Sequence, residues 1–154
     1  MTNSRLNDLM FMREALIEAE LAMQNDEVPV GSIVVLNNVI VGRGHNQVIQ
    51  RGSVVAHAEI IAIEDASNFV GNYRLNGAVL YSTLEPCHMC AKAIIDARIR
   101  KVCFGAKEPK TGALVSIDNF FEKPYLNHKV ELTSSILQKE SSAILKKFFY
   151  TKRS

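Results

Sequence analysis

The sequence predicts one α/β domain, a five-stranded mixed sheet held between layers of helices. Three observations on its 154 residues point there: an amphipathic opening stretch, a β-branched hairpin, and two successive strand-helix-strand units. At this length a domain buries roughly 70% of the surface its unfolded chain exposes, enough for a core without disulfide staples. A composition of 47% hydrophobic and 22% charged residues, with eight Gly and four Pro, excludes disordered and fibrous classes. No repeat, low-complexity tract or linker divides the chain, so residues 1–154 are expected to form a single domain.

Residues 7–25 set Leu9, Met12, Leu16, Ala19 and Met23 at three-to-four spacing with Arg13, Glu14, Glu18 and Glu20 between them, the pattern of a helix covering one sheet face. Ile33 to Leu36 and Val39 to Val41 flank Asn37-Asn38, whose tolerance of positive φ suits the two-residue turn of a hairpin. A loop over about 44–56 leads to a helix over 57–69, and Ala78 to Thr83 is the next strand. Strand, helix and strand in this order imply a right-handed parallel crossover. Pro86 then breaks the chain, a helix runs over 87–97, and Lys101 to Gly105 forms a strand, which repeats the unit. Residues 106–128 are loop-rich with a short helix near 116–121, and Lys129 to Leu132 supplies the last strand. Ser135-x-x-Gln138 has the pattern of a capping box, opening a C-terminal helix through Ile136, Ile144, Leu145 and Phe148.

A net charge of +2 hides an uneven distribution. Six acids outnumber two arginines within 1–27, whereas 98–112 holds Arg98, Arg100, Lys101, Lys107 and Lys110 against Glu108 alone, and 146–154 holds Lys146, Lys147, Lys152 and Arg153. Two basic segments fit a nucleic-acid footprint or simply solvated faces. Three cysteines cannot all pair within one chain, and with no basic-apolar leader the sequence predicts a reducing cytoplasm in which the thiols are free or metal-bound. No apolar run nears the roughly 20 residues of a membrane-spanning helix, which argues against insertion.

Chemistry concentrates at two predicted helix starts, His57-Ala58-Glu59 and Pro86-Cys87-His88-Met89-Cys90. Ligands of open α/β sheets bind at the carboxyl ends of strands, so helix N-termini emerging there converge on one crevice. Cys87 and Cys90, at i and i+3, share a face of a first helical turn, where the helix dipole favours thiolate. Taken alone, Cys-x-x-Cys is equally a redox pair or half of a structural zinc site. His57 as a third ligand would leave one tetrahedral position open, the pattern of catalytic zinc. Glu59, two residues after His57, suits a proton acceptor for an activated water.

His-x-Glu followed by Pro-Cys-x-x-Cys is the signature of zinc-dependent nucleobase deaminases. From about Leu9 to Phe149 the chain resembles the bacterial tRNA-specific adenosine deaminase family, in ordered blocks that include Glu27-Val28-Pro29-Val30-Gly31, Gly44-His45-Asn46, Asn72-Tyr73-Arg74-Leu75, Thr83-Leu84-Glu85-Pro86-Cys87, Lys110-Thr111-Gly112-Ala113 and Phe148-Phe149. The resemblance implies a three-layer α/β/α, cytidine deaminase-like fold, one zinc per subunit on His57, Cys87 and Cys90, and Glu59 as catalytic proton shuttle. It further implies that Asn46 hydrogen-bonds a flipped adenine, that Val28, Pro29, Val30 and Ala58 line its pocket, that Glu108 touches a neighbouring ribose, and that Phe148 and Phe149 meet RNA. The implied substrate is the wobble adenosine, position 34, of a tRNA anticodon stem-loop, in bacteria usually the arginine tRNA. Hydroxide generated on zinc would add at carbon 6 and leave inosine. A homodimer is implied, and DNA is not an expected partner. On this footing the basic segments gain a purpose, since splayed RNA loops are read by rings and cations.

The chain departs from the family at Glu108, where Asp is usual, and at His88, where an apolar residue is usual. His88, at i+1 from Cys87, should point off the metal face. Cys103, mid-strand, reads as a small core residue. Phe148, Phe149 and Tyr150 are consecutive and cannot all face a sheet, so at least one ring should reach the surface. The alternatives are a small-molecule deaminase of guanine or cytosine and a non-catalytic RNA-binding subunit with structural zinc. Glu59 speaks against the second.

Overall fold

The structure, a computed structural model, describes residues 2–153, with Arg153 described by its backbone alone. In chain order the described residues form α1 (Asn3–Gln24), β1 (Gly31–Leu36), β2 (Val39–His45), α2 (Val48–Arg51), α3 (Ala58–Val70), β3 (Val79–Leu84), α4 (His88–Asp96), β4 (Lys101–Ala106), a 3-10 turn (Phe120–Glu122), β5 (Glu131–Thr133) and α5 (Gln138–Arg153). The five strands make one mixed sheet in the order β2-β1-β3-β4-β5. β1 runs antiparallel to both β2 and β3, while β3, β4 and β5 are parallel.

Strand alternation sorts the core onto two faces. Val34, Leu80, Val102 and Phe104 pack with Ala62, Ala66, Ile94 and Ile95 beneath α3 and α4. Ile33, Val35, Tyr81 and Cys103 pack with Met12, Ala15 and Ile136 beneath α1 and the start of α5. The expected three layers follow, and Cys103 is indeed a fully buried core residue.

Several elements differ from expectation for local reasons. The first helix starts at Asn3 rather than residue 7 because Thr2 Oγ1 accepts the Arg5 N–H at 3.2 Å and caps it. The hairpin turns at Asn37 and Asn38 as expected, both at positive φ, with a bulge between Val34 and Val35. The strand-helix-strand unit 39–84 does give two strands of one direction, but β1 is inserted between them. The loop before α3 contains α2, and the helix expected near 116–121 is only the turn Phe120–Glu122. The capping box does not form. Ser135 lies at φ 66°, the Ile136 N–H instead donates to Phe104 O at 3.1 Å, and the first helical bond runs from Ser141 N to Leu137 O. Docking buried Ile136 onto the end of β4 delays the helix to Gln138.

This topology positions the site. The carboxyl ends of β2, β3 and β4 and the amino end of β1 lie along one edge of the sheet, so residues 28–30, 46–59, 84–90 and 107–116 gather there. It also divides the basic segment 98–112. Arg98, Arg100 and Lys101 lie at the opposite edge, engaged by Asn127, Glu131 and Asp8, and only Lys107 and Lys110 follow β4 to the site edge. His128 is likewise committed at the far edge, to Ile99 O at 2.8 Å.

Candidate active site and metal centre

His57 and Cys87 occupy equivalent positions, each the N-cap of a helix with extended φ and ψ, so both project from the positive ends of α3 and α4. Cys90 lies one turn into α4 and is buried. His57 Nδ1 is 3.7 Å from Cys87 Sγ and 3.5 Å from Cys90 Sγ, and the three ligand atoms lie within 4.8 Å of one another. Zinc bonds of about 2.3 Å to sulfur and about 2.0–2.1 Å to nitrogen, at a tetrahedral angle, separate such atoms by about 3.6 Å. The observed spacings therefore fit zinc, and the donor set of two sulfurs and one nitrogen suits its borderline softness.

Electrostatics agree with this geometry. Hydrogen bonding from the Cys90 thiol, then from His57, lowers Cys87 to about 4 against the opposing effect of burial. As the donor of that bond, and by burial, Cys90 is pushed up, and its partner Cys87 raises His57. Glu59, in the first turn of α3 and 4% exposed, is pushed up to about 7, chiefly by burial.

A cavity of ≈ 220 Å³ opens beside these groups, lined by His57, Ala58, Glu59 and Cys87 on one side and Val28, Val30, Asn46 and Thr111 on others. Asn46 is held in one orientation. Its Nδ2 donates to Val28 O at 3.2 Å, its Oδ1 accepts the Val48 N–H at 3.3 Å, and its backbone N–H donates to Val30 O. One amide hydrogen and one oxygen lone pair remain for a ligand.

Not all expected site residues meet here. Pro29 is buried and is not among the cavity-lining residues, unlike its neighbours Val28 and Val30. Glu108 lies outside the cavity and turns its carboxylate onto its own loop, accepting the Lys110 N–H at 3.0 Å. Phe148 is 8% exposed and packs edge-on against Phe149 at 5.4 Å, whereas Phe149 and Tyr150 are exposed. Lys152 sits 5.6 Å over the Phe148 ring and pairs with Asp26 at 3.0 Å, which ties the end of α5 to the segment leading into Val28. His88 points off the metal face as expected, its Nε2 2.8 Å from Asp118 Oδ2. His45 is engaged by Glu18 and Gln47.

Two buried carboxylates escaped sequence reasoning. Glu27 accepts the N–H groups of Ile49 and Gln50 at 3.1 and 2.6 Å and so caps α2. Glu85 accepts N–H groups from Glu108, Leu114, Val115 and Ser116 at 2.8–3.1 Å, together with the Ser116 hydroxyl. Burial alone would raise Glu85, but these hydrogen bonds outweigh it and hold its carboxyl below the usual range. The only signal for either in the sequence was an acid set among apolar residues and proline at an element's end.

Comparisons with known proteins agree with this geometry. The MafB19-like deaminase family model matches residues 6–153. The chain is 46% identical to the tRNA-specific adenosine deaminase of Agrobacterium fabrum, covering 93% of this chain and 94% of that one. With the Bacillus subtilis protein of the same name it shares 41% identity over 92% and 88% of the two chains. A solved structure from work on A-to-I editing by tRNA:A34 deaminases at the wobble position superposes with a TM-score of 0.86 at 45% identity, covering 88% of this chain and 99% of that one. A guanine deaminase from Nitrosomonas europaea, at 20% identity and TM-score 0.77 over 91% and 83%, shares the fold.

Proposed function

Since this chain belongs to the tRNA-specific adenosine deaminase family, a family of hydrolytic enzymes, we infer that it converts the wobble adenosine, position 34, of a tRNA anticodon stem-loop to inosine, with the arginine tRNA as its substrate. The observation that carries this reading is the convergence of His57, Cys87, Cys90 and Glu59 on a cavity that also holds an oriented Asn46.

This geometry supports the following residue roles. His57, Cys87 and Cys90 would hold one zinc per subunit, and a zinc bound there supplies a water that is nucleophilic near neutral pH. Val28, Val30 and Ala58 give apolar contact to the base, with buried Pro29 at the centre of the turn that the Val30 N–H closes on Val28 O at 2.9 Å. The remaining N–H and lone pair of Asn46 address the polar edge of the adenine. Glu59 takes a proton from the attacking water, passes it to the ring nitrogen beside carbon 6, and delivers a proton to the amino group, which departs as ammonia. A carboxyl poised at about 7 can do both near neutral pH.

RNA contacts come from side chains around the mouth. Lys107 and Lys110 are exposed and, among the described residues, make no ion pair, which leaves them for phosphates. Phe149 and Tyr150 offer rings for stacking, backed by Phe148, and Glu108 orders the loop that meets the ribose. We further assign a single domain over 1–154, a homodimer and a cytoplasmic setting, with RNA rather than DNA as substrate. No helix among the described residues is long and apolar enough to cross a membrane.

The test offers the zinc-loaded protein an anticodon stem-loop with adenosine at position 34 and, in parallel, free adenosine, cytidine and guanine. Inosine should form in the stem-loop. Turnover of a free base with the stem-loop untouched would replace this reading with a small-molecule base deaminase.

A further inference from the structure

Residues 107–116, which follow β4, wall one side of the cavity without any regular structure. Such a segment normally loses order at the surface, because its backbone groups lack a ladder to join. Here they are collected by one side chain. Glu85 is 3% exposed, and its two oxygens accept four backbone N–H groups and the Ser116 hydroxyl, all from 108–116. Charge-assisted bonds to backbone N–H groups are among the stronger ones a loop can make. Gly112 completes the cradle, since a Cβ there would run into the Glu85 carboxylate.

The same segment is joined to the metal-side turn. Ala113 N–H donates to Pro86 O at 2.9 Å, and Pro86 links Glu85 to Cys87. Thr111, at the tip, lines the cavity, and Lys107 and Lys110 flank it. One buried carboxylate thus registers the turn that presents a metal ligand against the loop that presents contacts to a substrate.

We propose that Glu85 is a positioning residue for the RNA substrate: it fixes the 107–116 loop so that Thr111, Lys107 and Lys110 meet the nucleotides around the reacting base. Glu85 also lines the cavity, but its carboxylate is committed to the loop, so its effect is on stem-loop binding. The proposal rests on the functional reading above. A displacement of catalytic or binding groups by about an ångström is enough to cost tenfold or more.

Two variants approach the loop from opposite sides. Glu85→Gln removes the charge and one acceptor, while Gly112→Ala keeps Glu85 and pushes the loop off it. Zinc content, amide hydrogen exchange and stem-loop affinity against salt are measured for both and for the parent protein. Both variants should keep one zinc, lose exchange protection at Glu108 and 114–116 but not in α3 or α4, and bind the stem-loop about tenfold more weakly or worse, with a shallower salt dependence. Unchanged affinity with the loop amides exposed would overturn the proposal, as would loop protection that persists in both variants. Loss of zinc in both would reassign Glu85 to supporting the metal turn. Should Glu85→Gln fail to fold, Gly112→Ala decides alone. A parent protein inert on the stem-loop would instead remove the functional reading, and loop exchange, which needs no substrate, would still judge whether Glu85 orders this segment.

Discussion

Glu59 sits where a helix N-terminus, a buried cavity wall and two sulfurs meet, and burial holds its proton to about 7. In the proposed mechanism it handles protons, and it is not among the residues grouped as metal ligands. Glu59→Ala should therefore keep its zinc and its affinity for the stem-loop while losing turnover by ~10⁴-fold or more, since one carboxylate serves several transfers and a single general acid-base group contributes about 10²–10⁴-fold. A tenth of parental activity in single-turnover assays would remove it from the mechanism. Two of the thiols, Cys87 and Cys103, separate on the same physical grounds. In metal-stripped protein neutral pH lies well above the Cys87 value of about 4, so Cys87 is thiolate, whereas burial pushes Cys103 up to about 12 and keeps it protonated. Mass spectrometry after brief alkylation should find Cys87 modified first and Cys103 spared, with Cys87 protected once zinc is restored. Adducts at Cys103 ahead of Cys87 would contradict this assignment. The gathering of His57, Cys87 and Cys90 was legible in the sequence because i, i+3 spacing and helix starts are local facts. The anchoring roles of Glu27 and Glu85 were not, because their partners lie 22 to 31 residues away, in the short helix α2 and in an irregular loop, where no periodicity describes the path of the chain.

Helix α3 approaches β2 closely enough to exclude a Cβ at Gly42 and Gly44. A Cβ on Gly44 would meet Ala58 O and lie 2.6 Å from Ala62 N, within the two turns of helix that follow His57. Gly44→Ala should cost about 1–3 kcal/mol by overpacking, read as a lowered Tm, and should reduce deamination although it touches no ligand. Unchanged activity would mean that α3 yields without moving His57 or Glu59. At the other terminus, Lys152 ties α5 to Asp26, two residues before the cavity-lining Val28, with Phe149 and Tyr150 exposed. Deleting residues 150–154 should weaken stem-loop binding and flatten its salt dependence with zinc retained. A stacked ring is worth about 1–3 kcal/mol per base. Equal affinity and salt slope would return this segment to a structural role. The aromatic run predicted an exposed ring from angular arithmetic alone, but the start of the same helix was misread. Ser135-x-x-Gln138 is a local pattern, and the long-range bond from Ile136 to Phe104 overrides it.

At the scale of the whole molecule, the sheet order decides what meets what. Two strand-helix-strand units and a hairpin were readable from β-branched runs and helical spacing. The insertion of β1 between β2 and β3 was not, because strand neighbours are a matter of tertiary pairing. That order brings four strand ends and four connecting segments to one edge, and it sends three of the five basic residues of 98–112 away from it. Summed charge along the sequence therefore overstated the cationic surface at the site, and binding there should depend on Lys107 and Lys110 rather than on Arg98, Arg100 and Lys101. The central claim is that water replaces the amino group of an adenine in a tRNA loop within this cavity. The most direct measurement is mass spectrometry of nucleoside 34 after the zinc-loaded protein has acted on the stem-loop in water enriched in oxygen-18. Inosine carrying one heavy oxygen is the expected product, with every other adenosine unchanged. Adenosine remaining at position 34, or inosine without the label, would contradict hydrolytic deamination by this site.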